Sequence, residues 1–307
     1  MIASKRPDGT LGPARPKQRL VTMFILGGLT CGLAAAVERH FKSIDFDSRA
    51  VRIQPGDWTL DADGSSYLCI KKGEPATIPW IAEGGLHGGH CLAIRLDPTS
   101  GPGPDHGRDK INYRVVSGHD ASAPSFSGQT SYFGFAMKLD AKDFTPPPRG
   151  STHYLFAQVW QGSPFGPPVA LELVPGTDLA GGGTPPRFAV SIRNNQTGAN
   201  PGARTVVVDP VGPTTVLELD RWYTFVLGVK LGFHGDGKLD LFVNGVGEAT
   251  YSGNIGYDPS VTPKTFKTGL PNERLELYFG PYRDRMNASQ TFYFDRIRYG
   301  TDYESVR

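Results

Sequence analysis

From about residue 43 onward, apolar and polar side chains alternate in short runs with a period of two. That period predicts strands, because successive strand side chains point to opposite faces. The run on which the others depend is Thr152 to Gln161, T-H-Y-L-F-A-Q-V-W-Q. Strict alternation puts Leu155, Ala157 and Val159 on one face, suited to a core, and Tyr154, Phe156, Gln158 and Trp160 on the other. Rings with an amide among them suit a sugar-binding floor, since flat rings stack on pyranose faces and an amide bonds hydroxyl or carboxylate oxygens. A strand buried on both faces would read the same way.

The remaining runs repeat this pattern. Ser43 to Arg52 is expected to be the first strand, and Cys91 to Leu96 another. Lys110 to Val116 turns Ile111, Tyr113 and Val115 inward and leaves Lys110, Asn112 and Arg114 together on the opposite face. Tyr132 to Leu139 puts Phe133, Phe135, Met137 and Leu139 on one side. Val169 to Val174 carries Glu172 away from its apolar face, and Arg187 to Arg193 sets both arginines opposite Phe188, Val190 and Ile192. Arg221 to Leu231 and Lys238 to Asn244 form a hairpin, with Asn244-Gly245 as the next turn. Leu275 to Arg283 and Thr291 to Tyr299 close the series. Some nine or ten strands without helical crossovers predict an all-β fold, a two-sheet antiparallel β-sandwich of jelly-roll, concanavalin-like type.

Composition changes this picture little. The 39 glycines and 26 prolines supply turns, and 307 residues suit one sandwich domain with a leader. That leader holds five basic residues against one acid before Ala36, so the formal charge of +2 misleads. The rest carries 27 basic and 29 acidic side chains, which excludes a nucleic-acid partner. Leu20 to Ala36, apolar and ending in small residues, reads as a secretory signal peptide cleaved near Ala36, with an uncleaved anchor as the other reading. The expected division is therefore a leader at 1–36 and one domain at 37–307, secreted or periplasmic and without a stable membrane partner after cleavage. Removing the leader leaves Cys69 and Cys91, expected to form a disulfide that closes a loop of about 20 residues for roughly 3 kcal/mol.

Two weaker signals read as ordinary surface. Asp61 and Asp63 lack the full spacing of a calcium loop, and His87 and His90 lie in a glycine loop without an evident third metal ligand.

On the polar strand faces Lys110, Asn112, Arg114, Gln158, Trp160, Arg193, Tyr278 and Tyr282 could share one surface. Cations, amides, phenols and an indole suit an acidic sugar polymer. Four segments carry a resemblance in their order: F-A-Q-V-W-Q from Phe156, W-Y-T-F-V-L-G-V-K with G-D-G-K-L-D-L-F-V-N-G between Trp222 and Gly245, Y-F-G-P-Y-R from Tyr278, and F-Y-F-D-R-I from Phe292. Over residues 85–305 the chain resembles the jelly-roll polysaccharide lyases, the group of the glucuronan lyases of polysaccharide lyase family 20 and the heparin lyase I type. The resemblance implies extracellular cleavage of a uronic-acid polymer by β-elimination. The expected partner is the anionic polysaccharide, and the chain is expected to be a monomer without an organic cofactor. Lys110-Ile111-Asn112 replaces the Arg-x-Glu of many relatives, and Tyr278 stands where the heparin type has lysine, which argues against heparin as substrate.

β-Elimination needs a neutralised uronate carboxylate, a base for the C5 proton and an acid at the leaving oxygen. Gln158, with Asn112 or Arg114, is expected at the carboxylate, His119 as base or neutraliser, and Tyr282 as acid and possible second base. Lys110, Trp160, Arg193, Tyr278 and Arg283 are expected to bind substrate. His153 falls by parity on the apolar side of its strand. The resemblance also implies a structural calcium ion between the first and last strands, on Asp45 or Asp47 with Asp295. A retaining glycoside hydrolase using Glu172 and Glu276, and a non-catalytic carbohydrate-binding protein, remain alternatives.

Overall fold

The computed structural model describes residues 42–47, 51–54, 58–62, 65–67, 69–72, 79–98, 107–117, 128–146, 154–162, 166–174, 186–194, 204–208, 216–258 and 275–307. The expected leader, His119 and His153 lie outside them. The eight-stranded sheet has the order β16 (Val246–Ile255), β15 (Gly232–Val243), β14 (Tyr223–Lys230), β9 (Ser131–Leu139), β18 (Gln290–Gly300), β7 (His90–Leu96) and β6 (Trp80–Glu83), and β1 (Lys42–Ile44) also pairs with β18. The seven-stranded sheet has the order β13 (Arg204–Val208), β12 (Arg187–Arg193), β11 (Val169–Val174), β10 (Tyr154–Trp160), β17 (Glu276–Asp284), β8 (Arg108–Val116) and β5 (Cys69–Lys72). A small third sheet joins β2 (Arg52–Ile53), β3 (Leu60–Ala62) and β4 (Ser65–Tyr67). All ladders between these strands are antiparallel, and the chain passes repeatedly from one large sheet to the other, the jelly-roll sandwich expected from the sequence.

The core is a layer of interlocking rings. Phe135 of β9, Phe225 of β14 and Phe294 of β18 meet Phe156 of β10, Phe188 of β12 and Phe279 of β17, with centroids 5.2 to 6.3 Å apart. Tilted and edge-on pairs of this kind contribute about 0.5–1.5 kcal/mol each beyond their buried area. The hairpin of β15 and β16 turns at Asn244-Gly245, both at positive φ (51° and 78°), as the Asn-Gly pair predicts.

Three expectations are corrected. The single first strand over Ser43 to Arg52 is two short strands, β1 and β2, in different sheets. Strict alternation along β10 fails at a bulge between Leu155 and Ala157. Tyr154, Phe156, Ala157 and Val159 all enter the core, while Leu155 pairs with Glu172 and Tyr282 on the opposite face. The disulfide is absent, because Cys69 and Cys91 are separate buried thiols. Cys69 lies in β5 and belongs to the core, whereas Cys91, in the other sheet, alternates with the core residues Leu92 and Ile94 and points away from it. Burial, reinforced by Asp295, pushes the Cys91 thiol up to about 12.

Candidate active site

On the face of the seven-stranded sheet that looks away from the core, the ladder fixes which side chains stand level. Arg114, Tyr278 and Gln158 form one row across β8, β17 and β10; Lys110, Tyr282 and Leu155 form another. Gly280 lies between the two rows at φ 115°, with its Cα so near β8 that a Cβ would stand 2.3 Å from the Ile111 carbonyl oxygen. Only glycine permits that approach.

The approach brings the β17 backbone to Asn112. The Asn112 amide nitrogen donates to the carbonyl oxygens of Gly280 and, at 3.3 Å, Pro281. Its Oδ1 accepts from Gln158 Nε2 at 3.2 Å, so the two amides meet across β17 as a buried, mutually oriented pair. Beside them the Lys110 ammonium lies 5.2 Å from the Tyr278 ring centre and 5.1 Å from that of Tyr282, held between two ring faces. Tyr282 is partly exposed, and Arg108 Nη1 donates to its hydroxyl at 3.3 Å. Arg108 is in turn anchored by Asp284, Nε to Oδ1 at 3.4 Å.

The row end is acid-paired. Arg114 Nη1 donates to Glu276 Oε1 at 2.9 Å, and the Tyr278 hydroxyl donates to Glu276 Oε2. Burial first, then the Glu276 carboxylate, pushes the Tyr278 phenol well above its ordinary value. Tyr278 is therefore a neutral, positioned ring beneath Trp160, whose indole meets it edge-on at 6.1 Å. Arg108, Lys110, Arg114, Trp160 and Tyr282 remain partly exposed, above the buried Asn112, Gln158, Tyr278 and Glu276.

Two expected binding residues do not join this group. Arg283 is fully buried on the other side of β17, donating to the carbonyl oxygens of Leu96 (3.2 Å) and Ala288 (2.7 Å) and lying 3.8 Å from the Met286 sulfur. It is one residue out of phase with Tyr282 and serves the fold. Arg193 stands level with Trp160 two strands away, about 10 Å across the sheet, but it is buried and turned to the protein's own groups. Its guanidinium donates to the Pro167 carbonyl oxygen and lies 3.7 Å from Glu172, which also accepts from Ser191.

That ion pair bears on the two-carboxylate alternative. Register sets Glu172 level with Leu155 and Glu276 level with Trp160. About four residues along the strands and two strands across separate them by roughly 16 Å, far beyond the ~5 Å of a retaining pair.

Arg108, which the sequence reading did not single out, and Glu276, expected there only as a hydrolase carboxylate, complete the arrangement. Arg108 was within reach of the alternation, which extends through Lys110, Asn112 and Arg114, had the strand been started two residues earlier. Nothing in the sequence pairs Glu276 with Arg114, because that contact crosses 162 residues.

The three expected calcium ligands line one polar cavity of about 170 Å³ with His87, Arg296 and Arg298. Asp295 accepts from the backbone N–H groups of Leu86 (2.8 Å) and Arg296 (2.7 Å), and Asp47 from that of His90. Burial, with Asp47 and Asp45 adding to it, raises Asp295 against those donors. Among the described residues no three acidic, histidine or cysteine side chains are placed to share one ion.

No protein-family model and no curated protein matches the chain. Among solved structures, the chain is similar to the endo-β-1,4-glucuronan lyase of the fungus Trichoderma reesei at 14% identity and TM-score 0.52, covering 86% of this chain and 97% of that one. It is also similar to the alginate lyase vAL-1 from Chlorella virus at 15% identity and TM-score 0.45, covering 79% and 98%. At 14% identity the likeness to the glucuronan lyase is one of fold, and it agrees with the jelly-roll sandwich described above.

Proposed function

We propose that the protein is an extracellular or periplasmic polysaccharide lyase that cleaves a glucuronan-like uronic-acid polymer by β-elimination. The observation that carries this reading is the partly exposed Tyr282, whose hydroxyl accepts from Arg108 and whose ring lies under Lys110, on the same sheet face as the Gln158–Asn112 amide pair. Lys110 and Gln158 would hold the uronate carboxylate, so that charge moving onto it as the C5–H bond breaks meets fixed donors. The electron pair of that bond forms C4=C5 and expels the C4 oxygen, which takes a proton from Tyr282. Arg108, already bonded to the phenol oxygen, stays with it as the proton leaves. His119 is proposed as the base that receives the C5 proton. Arg114 and Trp160 would hold neighbouring sugar units. The ordered sequence motifs and the fold shared with a glucuronan lyase support the substrate class.

The test is incubation with glucuronan and, separately, alginate. Products absorbing in the ultraviolet as 4,5-unsaturated uronates are expected. Reducing ends without that absorbance would establish a hydrolase, and retention of polymer with neither signal a binding protein. A structural calcium on Asp45, Asp47 and Asp295 is a separate proposal, supported by their lining one cavity; the three carboxylates would have to draw together, and Arg296 and Arg298 turn out, to admit the ion. It predicts a lower melting temperature in chelator, restored by added calcium.

A further inference from the structure

The outer face of the eight-stranded sheet carries a second arrangement of rings. Register places Trp80, Ala93, Tyr293 and Lys138 side by side on β6, β7, β18 and β9, and Trp222, at the start of β14, continues the row against Lys138. All five alternate with core residues and so point outward: Ile81, Leu92, Ile94, Phe292, Phe294, Met137, Leu139 and Tyr223 pack inward. Rings thus stand on every second strand, with a small residue and an ammonium filling the positions between them.

The details set this row apart from chance exposure. Ala93 is fully buried although it faces outward, flanked in register by Trp80 and Tyr293. Lys138 Nζ lies 4.5 Å from the Tyr293 ring centre and 5.1 Å from that of Trp222, which bridges the gap between those rings. The Tyr293 hydroxyl donates to Asp140 at 2.9 Å and is fixed in place. Trp80 is 39% exposed, one of two large apolar side chains so exposed among the described residues.

We propose that this strip binds a neutral, extended β-1,4-linked polysaccharide such as cellulose, on the face opposite the candidate active site. Two strand spacings set successive rings about 10 Å apart. A β-1,4-linked glycan turns the same sugar face to one side at every second unit, and a disaccharide length matches that interval. Arg95, Asp97, Asp140 and Asp143 border the row and offer donors and acceptors to hydroxyls. With three carboxylates against Arg95 and Lys138, the border gives a polyanion no net attraction, which separates this surface from the cationic one across the sandwich.

The experiment is depletion binding of the full chain to microcrystalline cellulose, with elution by soluble cello-oligosaccharide. Retention is expected, falling about tenfold or more in Trp80→Ala and again in Trp80→Ala/Trp222→Ala, with activity on polyuronate unchanged. Trp80 is exposed on an edge strand, so its single variant decides the matter even where loss of Trp222 impairs folding. Failure of the wild type to bind cellulose overturns the proposal, as does retention that survives Trp80→Ala. So does a change from dimer to monomer by light scattering in Trp80→Ala, which would make the strip a contact between copies. None of the overturning outcomes depends on the lyase reading, on which only the unchanged polyuronate activity rests.

Discussion

Gly280 is where the fold and the candidate site meet, and Gly280→Ala perturbs both. At φ 115° any other residue carries strain of about 1–3 kcal/mol. The new methyl would also stand 2.3 Å from the Ile111 carbonyl oxygen and 3.1 Å from the Asn112 Cα, so β17 and β8 must part. Taken together, a loss of about 3 kcal/mol or more is expected, which for a domain of this size lowers the melting temperature by about 6–12 °C. Parting the strands also releases Asn112 from the Gly280 carbonyl, and Gln158 with it, so turnover should fall more than substrate binding. Gly245→Ala is the control: its φ is 78°, but nothing lies within 4 Å of the added carbon, so a loss of about 1 kcal/mol is expected without a change in turnover. Scanning calorimetry and initial rates on both variants check this. A Gly280→Ala protein that melts with the control and turns over normally would refute the argument.

Arg193→Met takes the cationic partner from the buried Glu172, which should lower stability by about 3–5 kcal/mol, whereas Arg193→Met/Glu172→Leu should recover most of it; equal chemical unfolding of the two variants would contradict this. Peptide mapping after denaturation in alkylating agent without reductant should find Cys69 and Cys91 labelled separately, and a peptide cross-linking the two would contradict their being unbridged thiols. Burial raises Tyr154 and Tyr278 above their ordinary value, so their neutral forms favour the fold. Their contribution is complete below about pH 10 and is lost as pH rises from there through the raised values, because only the unfolded chain ionises in that window. Urea unfolding followed from pH 8 upward should show stability falling above pH 10, and a rise there would contradict the assignment.

The sheet architecture was legible because nearly every long strand alternates strictly. Lys110, Asn112 and Arg114 share a face as their spacing requires, and Asn244-Gly245 turns as its backbone preference requires. β10 misled because a bulge leaves no mark on a run that is apolar at almost every position; Phe156 and Ala157 fit a core equally well. Arg283 misled for a related reason. An arginine beside a groove tyrosine looks like a ligand contact, and only carbonyl oxygens from distant segments show that its charge is spent inside. The pairing of Glu276 with Arg114 and the meeting of Gln158 with Asn112 depend on strand order, which alternation does not encode. The same strand order parts Cys69 from Cys91.

The central claim is that Tyr282 delivers the proton to the leaving oxygen. Tyr282→Phe removes one hydroxyl and keeps the ring against Lys110, so the direct measurement is the initial rate of unsaturated product from glucuronan alongside substrate affinity for this variant. The account predicts a fall in kcat of about 10²-fold or more with affinity nearly unchanged. Near-normal production of unsaturated ends by Tyr282→Phe would contradict it.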